Sequence, residues 1–160
     1  VRGNPWDFAP GGLVAGTDDI IEMGNATRVE GPGLTAVNSN TTGDPHILLD
    51  VPTPIDSRAF QTITVHFTID GPFDLSYDPG GGTHGRILYQ HGHNTPWRDG
   101  NDIVAYPTQT SYTVDMTAVA ALEPGAPAWD SAPVTGLRFD PNEDPGAGRR
   151  WTVTAIELTP

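Results

Sequence analysis

The sequence predicts an all-β domain, an antiparallel β-sandwich or barrel with one short helix at most, and three observations carry that expectation. Turn-forming clusters recur along the chain: "APGG", "EGPG", "NTTGDP", "DPGGGTHG", "RDGN", "EPGAP" and "DPNEDPGAG". Between them lie short segments rich in Val, Ile, Thr, Tyr and Phe, the residues that fit a pleated, half-buried surface. With 19 Gly and 16 Pro in 160 residues, the chain holds turn formers in numbers that suit a loop-rich β fold better than a helical bundle. The length corresponds to about one domain. No internal repeat or interdomain linker divides residues 1–160, so the whole chain reads as a single unit.

The elements follow in order. "NPWDF" anchors the first segment, with Trp6 and Phe8 packing together, and "HILLDV" is a short strand. The clearest strand is "FQTITVHFTID", where alternation places Ile63, Val65, Phe67 and Ile69 on one buried face. "FDLSY", "RILYQH", "DIVAY" and "SYTVDM" are further strands. In "RILYQH" the inward set is either Ile87 with Tyr89 or Leu88 with Gln90, and the pattern does not choose. "MTAVAALE", residues 116–123, supplies about two helical turns over one end of the sandwich. "VTGLRFD" precedes the closing strand "WTVTAIEL", in which Trp151 and Val153 have one parity and Ile156 and Leu158 the other. A bulge near Thr154 and Ala155 brings all four to the core.

Eight Lys+Arg against 20 Asp+Glu give a formal net charge of −12. Such a surface repels phosphate backbones and anionic lipid, which argues against nucleic-acid partners and membrane insertion. No apolar stretch reaches the roughly 20 residues of a spanning helix, and because the chain starts at Val1 the expectation is that any leader peptide lies outside it. There is no cysteine to form a disulfide, a thiolate ligand or a nucleophile.

The chemistry-bearing stretch is "RILYQHGHNTPWRDGND". His91 and His93, two residues apart on a strand, would face one ion, and with Gly85 they complete the opening G-x5-H-x-H of the cupin motif. The motif then breaks off: the expected Glu is absent, Asp99 falls late and no second half follows. Solvated loop histidines are the ordinary reading. For catalysis, 20 acids guarantee some close pairs, so carboxylate pairs carry no information. G-x-S-x-G, H-E-x-x-H and P-loop patterns are all missing. The expectation is a non-enzyme.

Calcium is the one cofactor the sequence brings into view, through "FDPNEDPGAG", where Asp140, Asn142, Glu143 and Asp144 offer oxygens on a tight loop. Asp7 and Glu157 are further acids that would reach a structural site between the chain ends. The EF-hand spacing is lacking, and an Asx-Pro turn accounts for the same residues.

Sugar recognition needs aromatic faces to lie on pyranose C–H surfaces and planar polar groups to bond hydroxyls in pairs. Trp97, Arg98 and Asp99 supply both at consecutive positions between Pro96 and Gly100, and Tyr89, His91, His93 and Asn94 extend the surface. Trp97 either stands out at a binding rim or folds back as a lid on the sandwich edge. Trp129, in "APAWDSAP", either docks on the core or faces a ligand, whereas Trp6 and Trp151 read as structural.

Taken together, "SYTVDM", "VTGLRFDPN" and "WTVTAIEL", with "NPWDF" and "DPHILLDV" as amino-terminal counterparts, resemble the galactose-binding-like jelly-roll domains, which include many carbohydrate-binding modules. The resemblance spans most of the chain in order and implies a two-sheet jelly roll. Many relatives carry an Asp in the last strand that serves a structural calcium site, and here that position is Thr154. The function the resemblance implies is non-catalytic binding of a polysaccharide or oligosaccharide by an extracellular module attached to other domains of a secreted enzyme or surface protein. Two other readings stay open: a small cupin-type metal-dependent enzyme using His91 and His93, and a structural or adhesion domain without glycan affinity.

Overall fold

The computed structural model describes residues 5–8, 19–39, 43–71, 73, 84–118, 127–143 and 147–160. Among these, eleven strands run in chain order: β1 (Trp6–Asp7), β2 (Ile20–Gly24), β3 (Ala26–Arg28), β4 (Leu34–Asn38), β5 (His46–Leu49), β6 (Thr62–Ile69), β7 (His84–Gln90), β8 (Arg98–Val104), β9 (Ser111–Asp115), β10 (Gly136–Asp140) and β11 (Arg150–Thr159). Every pairing among them is antiparallel.

One sheet has the order β3-β4-β11-β6-β9, with β1 also on β11, and the other the order β2-β5-β10-β7-β8. Apart from the β3–β4 and β7–β8 hairpins, each step from β2 onward switches sheets, so sequence neighbours are rarely sheet neighbours. This is the jelly-roll β-sandwich that the sequence predicts. Asn25, at φ 52°, makes the corner where the chain leaves β2 for β3, a left-handed position that Asn tolerates because its short side chain bonds nearby backbone.

The core forms where the two inner faces meet. β6 buries Ile63, Val65, Phe67 and Ile69 as its alternation requires, a gross contribution of roughly 6–12 kcal/mol at 1.5–3 kcal/mol per side chain before ordering entropy is subtracted. In β11 the register against β6 shifts between Val153 and Ala155, and this bulge turns Trp151, Val153, Ile156 and Leu158 all inward. Ile87 and Tyr89 are the inward pair of β7, which decides the parity the sequence left open. Trp6 and Phe8 are buried as expected, and the Trp6 indole N–H donates to the Asp50 carbonyl at 2.9 Å.

Where the sequence predicts a helix over 116–123, Met116–Ala118 form a turn. Asp115 accepts from the Thr117 and Ala118 amides and the Thr117 hydroxyl, which caps the chain as it leaves β9. Among the described residues the helical piece is a 3-10 turn at Trp129–Ser131. Residues 119–123 of the expected helix, 74–77 of the expected "FDLSY" strand, the whole "APGG" turn, and parts of the "NTTGDP", "DPGGGTHG", "EPGAP" and "DPNEDPGAG" turns lie outside the described residues.

Candidate functional site

Residues paired across a sheet share a face, so the inward set of β10 and β7 also defines what the five-stranded sheet shows to solvent. Glu22, Leu48, Arg138, Leu88 and Asp99 form one row across all five strands. In the next row Gly24 pairs with His46, and Asp140 with Arg86 and through it Asp102. A third row holds Gly136 and Gln90.

Trp97 joins this face from the β7–β8 loop. Thr95 closes a turn on the Gly92 carbonyl with both its amide and hydroxyl, and the Gln90 side chain, standing on the outer face, donates to the Thr95 carbonyl at 2.5 Å. The chain thereby returns over the sheet, and the half-buried Trp97 indole lies against Gly136: a Cβ at Gly136 would stand 3.1 Å from Trp97 Cη2. Trp97 is thus neither a core residue nor a detached rim residue. It rests on the outside of the sheet.

Two arginines occupy the middle of the face, each held by carboxylates. Arg86 donates to Asp102 from Nε at 2.8 Å and Nη2 at 2.7 Å, with Asp99 3.5 Å from Nη1. Burial opposes its charge, but Asp102, Glu143 and Asp99 together hold it above the usual guanidinium range. Arg138 donates to both oxygens of Asp140 at 2.6 and 2.7 Å and also to Asp44. Bidentate pairs of this kind fix the plane of the guanidinium. Burial pushes the Asp140 carboxyl up to about 6, against the pull of Arg138.

Of the ligand residues expected from the sequence, the structure brings Trp97 and Asp99 to this face. Arg98 is half-buried on the opposite parity, in register with Tyr89. His93 and Asn94 are exposed in the loop. Tyr89 and Trp129 are corrected: they are 3% and 1% exposed and belong to the core. Their rings meet edge to face at 5.2 Å, Tyr89 donates its hydroxyl to the Pro127 carbonyl, and the Trp129 N–H donates to the Phe60 carbonyl. With their polar atoms paired, nothing holds either ring at the surface. His91 turns to the same segment, its ring nitrogens 3.0 Å from the Ala128 carbonyl and 3.4 Å from that of Pro133.

The H-x-H pair is not on a strand, since β7 ends at Gln90. Among the described residues, neither His91 nor His93 belongs to a group of three potential metal ligands, the group that does form being Asp44, His46 and Asp140. Arg138 already places its guanidinium between those two carboxylates. Of the calcium candidates, Asp140 is engaged by Arg138, Asn142 is buried and accepts from the Asn38 amide at 3.2 Å, and Asp144 lies outside the described residues. An ion at Asp140 and Asn142 would have to displace both partners. Asp7 on β1 and Glu157 on β11, the latter 3.4 Å from His66, both belong to the sheet opposite the one that carries Asp140.

Gln90, Gly136, Arg86, Arg138 and Leu88 were not marked by the sequence as site residues. The alternation of "RILYQH" and "VTGLRFD" contains them, but only once Ile87, Tyr89, Leu137 and Phe139 are known to face inward.

No family model and no curated protein matches the chain. Solved structures do. A carbohydrate-binding module of family 29 superposes with a TM-score of 0.59 at 13% identity, over 98% of this chain and 87% of that one. A mutant family 29 module complexed with mannohexaose gives 0.54 at 11% identity, over 89% and 82%. CBM86, a low-affinity xylan-binding module from the gut symbiont Roseburia intestinalis, gives 0.52 at 11%, over 88% and 89%. Across nearly its whole length, therefore, this chain has the jelly-roll β-sandwich fold found in carbohydrate-binding modules.

Proposed function

We propose that the domain binds a polysaccharide or oligosaccharide chain on the outer face of the five-stranded sheet, without cleaving it. The observation that carries this reading is the Trp97 indole resting half-exposed on Gly136, at the margin of a face lined with planar, oriented hydrogen-bonding groups. Trp97 supplies a stacking surface for a pyranose ring, and Gln90, Arg86, Asp99 and Asp102 bond its hydroxyls. Support also comes from the solved relatives, whose ligands include mannohexaose, cellulohexaose and xylan. In this reading the domain is a non-catalytic targeting unit that works outside the cell, attached to other domains.

Calorimetric titration with manno-, cello- and xylo-oligosaccharides, beside affinity electrophoresis in gels containing the parent polymers, tests it. The expected result is binding to at least one of them, and a loss of about five- to tenfold in Trp97→Ala, since an aromatic contact contributes roughly 1–1.5 kcal/mol. Undiminished affinity in the variant would remove Trp97 from the site. Failure of the parent protein to bind any glycan would end the reading itself.

A further inference from the structure

The charge pattern of the same face carries a statement about which glycans it takes, resting on the glycan-binding reading above. Both central guanidiniums are neutralised by their neighbours: Arg86 by Asp102 and Asp99, and Arg138 by Asp140 and Asp44. Glu22 stands in the outward row beside Leu48, and Glu143, whose amide donates to the His84 carbonyl, acts on Arg86 from the start of β7. On or beside the face there are thus six carboxylates, Glu22, Asp44, Asp99, Asp102, Asp140 and Glu143, against two guanidiniums. Arg98 has the opposite parity, and the whole chain has a net charge of −12.

A site built for uronate or sulfate needs a cation whose donors are turned toward the ligand. Here each face arginine spends its Nε and one Nη on a carboxylate of its own chain, which leaves flat, charge-compensated plates and acceptor-rich acids. Neutral hydroxyls are served by such a face, because the exposed carboxylates Asp99 and Asp102 can accept from them while Arg86 holds the two acids in place. An anionic sugar brought to the same place meets excess negative charge, and both guanidiniums of the face are already held by carboxylates.

We infer that the face selects neutral pyranose chains and rejects chains carrying uronic acids, so that on a mixed polysaccharide the domain occupies unsubstituted stretches. The discrimination is electrostatic and largely exposed, so it depends on ionic strength.

The test uses a polyuronate and its carboxyl-reduced, neutral counterpart of the same linkage, together with neutral mannan, cellulose oligosaccharides and xylan. Binding is measured at about 10 mM and about 500 mM salt, where the screening length falls from about 30 Å to only a few Å. At low salt the expected preference for neutral chains is about tenfold or more, and added salt narrows it while leaving neutral affinity nearly constant. Asp99→Asn with Asp102→Asn frees Arg86, and the uronate-to-neutral affinity ratio rises about tenfold. A polyuronate that binds the parent protein as tightly as neutral chains overturns this inference but leaves glycan binding standing. A salt-independent preference also overturns it, because shape and not charge would then be the cause. Absence of binding to every glycan overturns the glycan-binding reading and this inference with it.

Discussion

Gly136→Ala probes the seat of Trp97 with the smallest possible change. The added Cβ would stand 3.1 Å from Trp97 Cη2 and 3.1 Å from Gln90 Oε1. Carbon atoms prefer about 3.5–4.0 Å, so the indole must rise by roughly 0.4–0.9 Å, and a gap of that size forfeits about a quarter to a half of each dispersion well it opens. Applied to an aromatic contact of about 1–1.5 kcal/mol, this removes about 0.5 kcal/mol. Pushing Gln90 also strains its bond to the Thr95 carbonyl, which shapes the loop, at a further cost of up to about 1 kcal/mol. If the whole cost is felt when the glycan binds, affinity falls about two- to tenfold. Stability changes little, because alanine lowers the entropy of the unfolded chain by an amount worth about 0.4–1 kcal/mol and offsets the crowding. Calorimetry gives the affinity and urea unfolding the stability. Parental affinity with parental stability would show that Gly136 does not set the height of the ring and would refute the reasoning.

Other predictions follow from the same geometry. Asp140, pushed up to about 6 by burial, stabilises the fold fully below the ordinary carboxylate range near 3.8 and loses that contribution as pH rises through 6. Unfolding free energy should therefore decline between pH 4 and pH 7 by up to about 3 kcal/mol from this group, and Asp140→Asn should flatten that segment of the urea-measured profile. Deleting Ala155 removes the bulge and turns either Trp151 and Val153 or Ile156 and Leu158 outward; a loss of about 3–6 kcal/mol is comparable to the whole stability of a domain, so circular dichroism should show an unfolded chain. Asn38 accepts from the Trp151 N–H at 3.0 Å and donates to Asn142 Oδ1, both buried. Asn38→Ala leaves the buried Trp151 N–H without its acceptor and takes one donor from Asn142, and chemical denaturation should register about 1–3 kcal/mol of destabilisation.

Much of this fold is legible along the chain because strand alternation is local. The inward faces of β6 and β11 follow from period two plus one bulge, and the turn clusters separate the strands. The site is less legible. Trp97 and Asp99 stand out by residue type, but Tyr89 and Trp129 carry the same chemistry and are core residues. What separates them is the distant partner each polar atom finds: Phe60 for Trp129, Pro127 for Tyr89.

By itself the sequence determined the fold class, the parity of the clearest strands, the acidic surface and the presence of an aromatic and planar polar cluster before β8. The tertiary structure alone decided that β7 and β10 lie side by side, which sets Gly136 beneath an indole 39 positions earlier in the chain and brings four acids to two arginines. Alternation is written in neighbouring residues, because each peptide turns successive side chains to opposite sides. Which strands become neighbours depends on how the whole chain buries its apolar faces, and so does the make-up of an outer face.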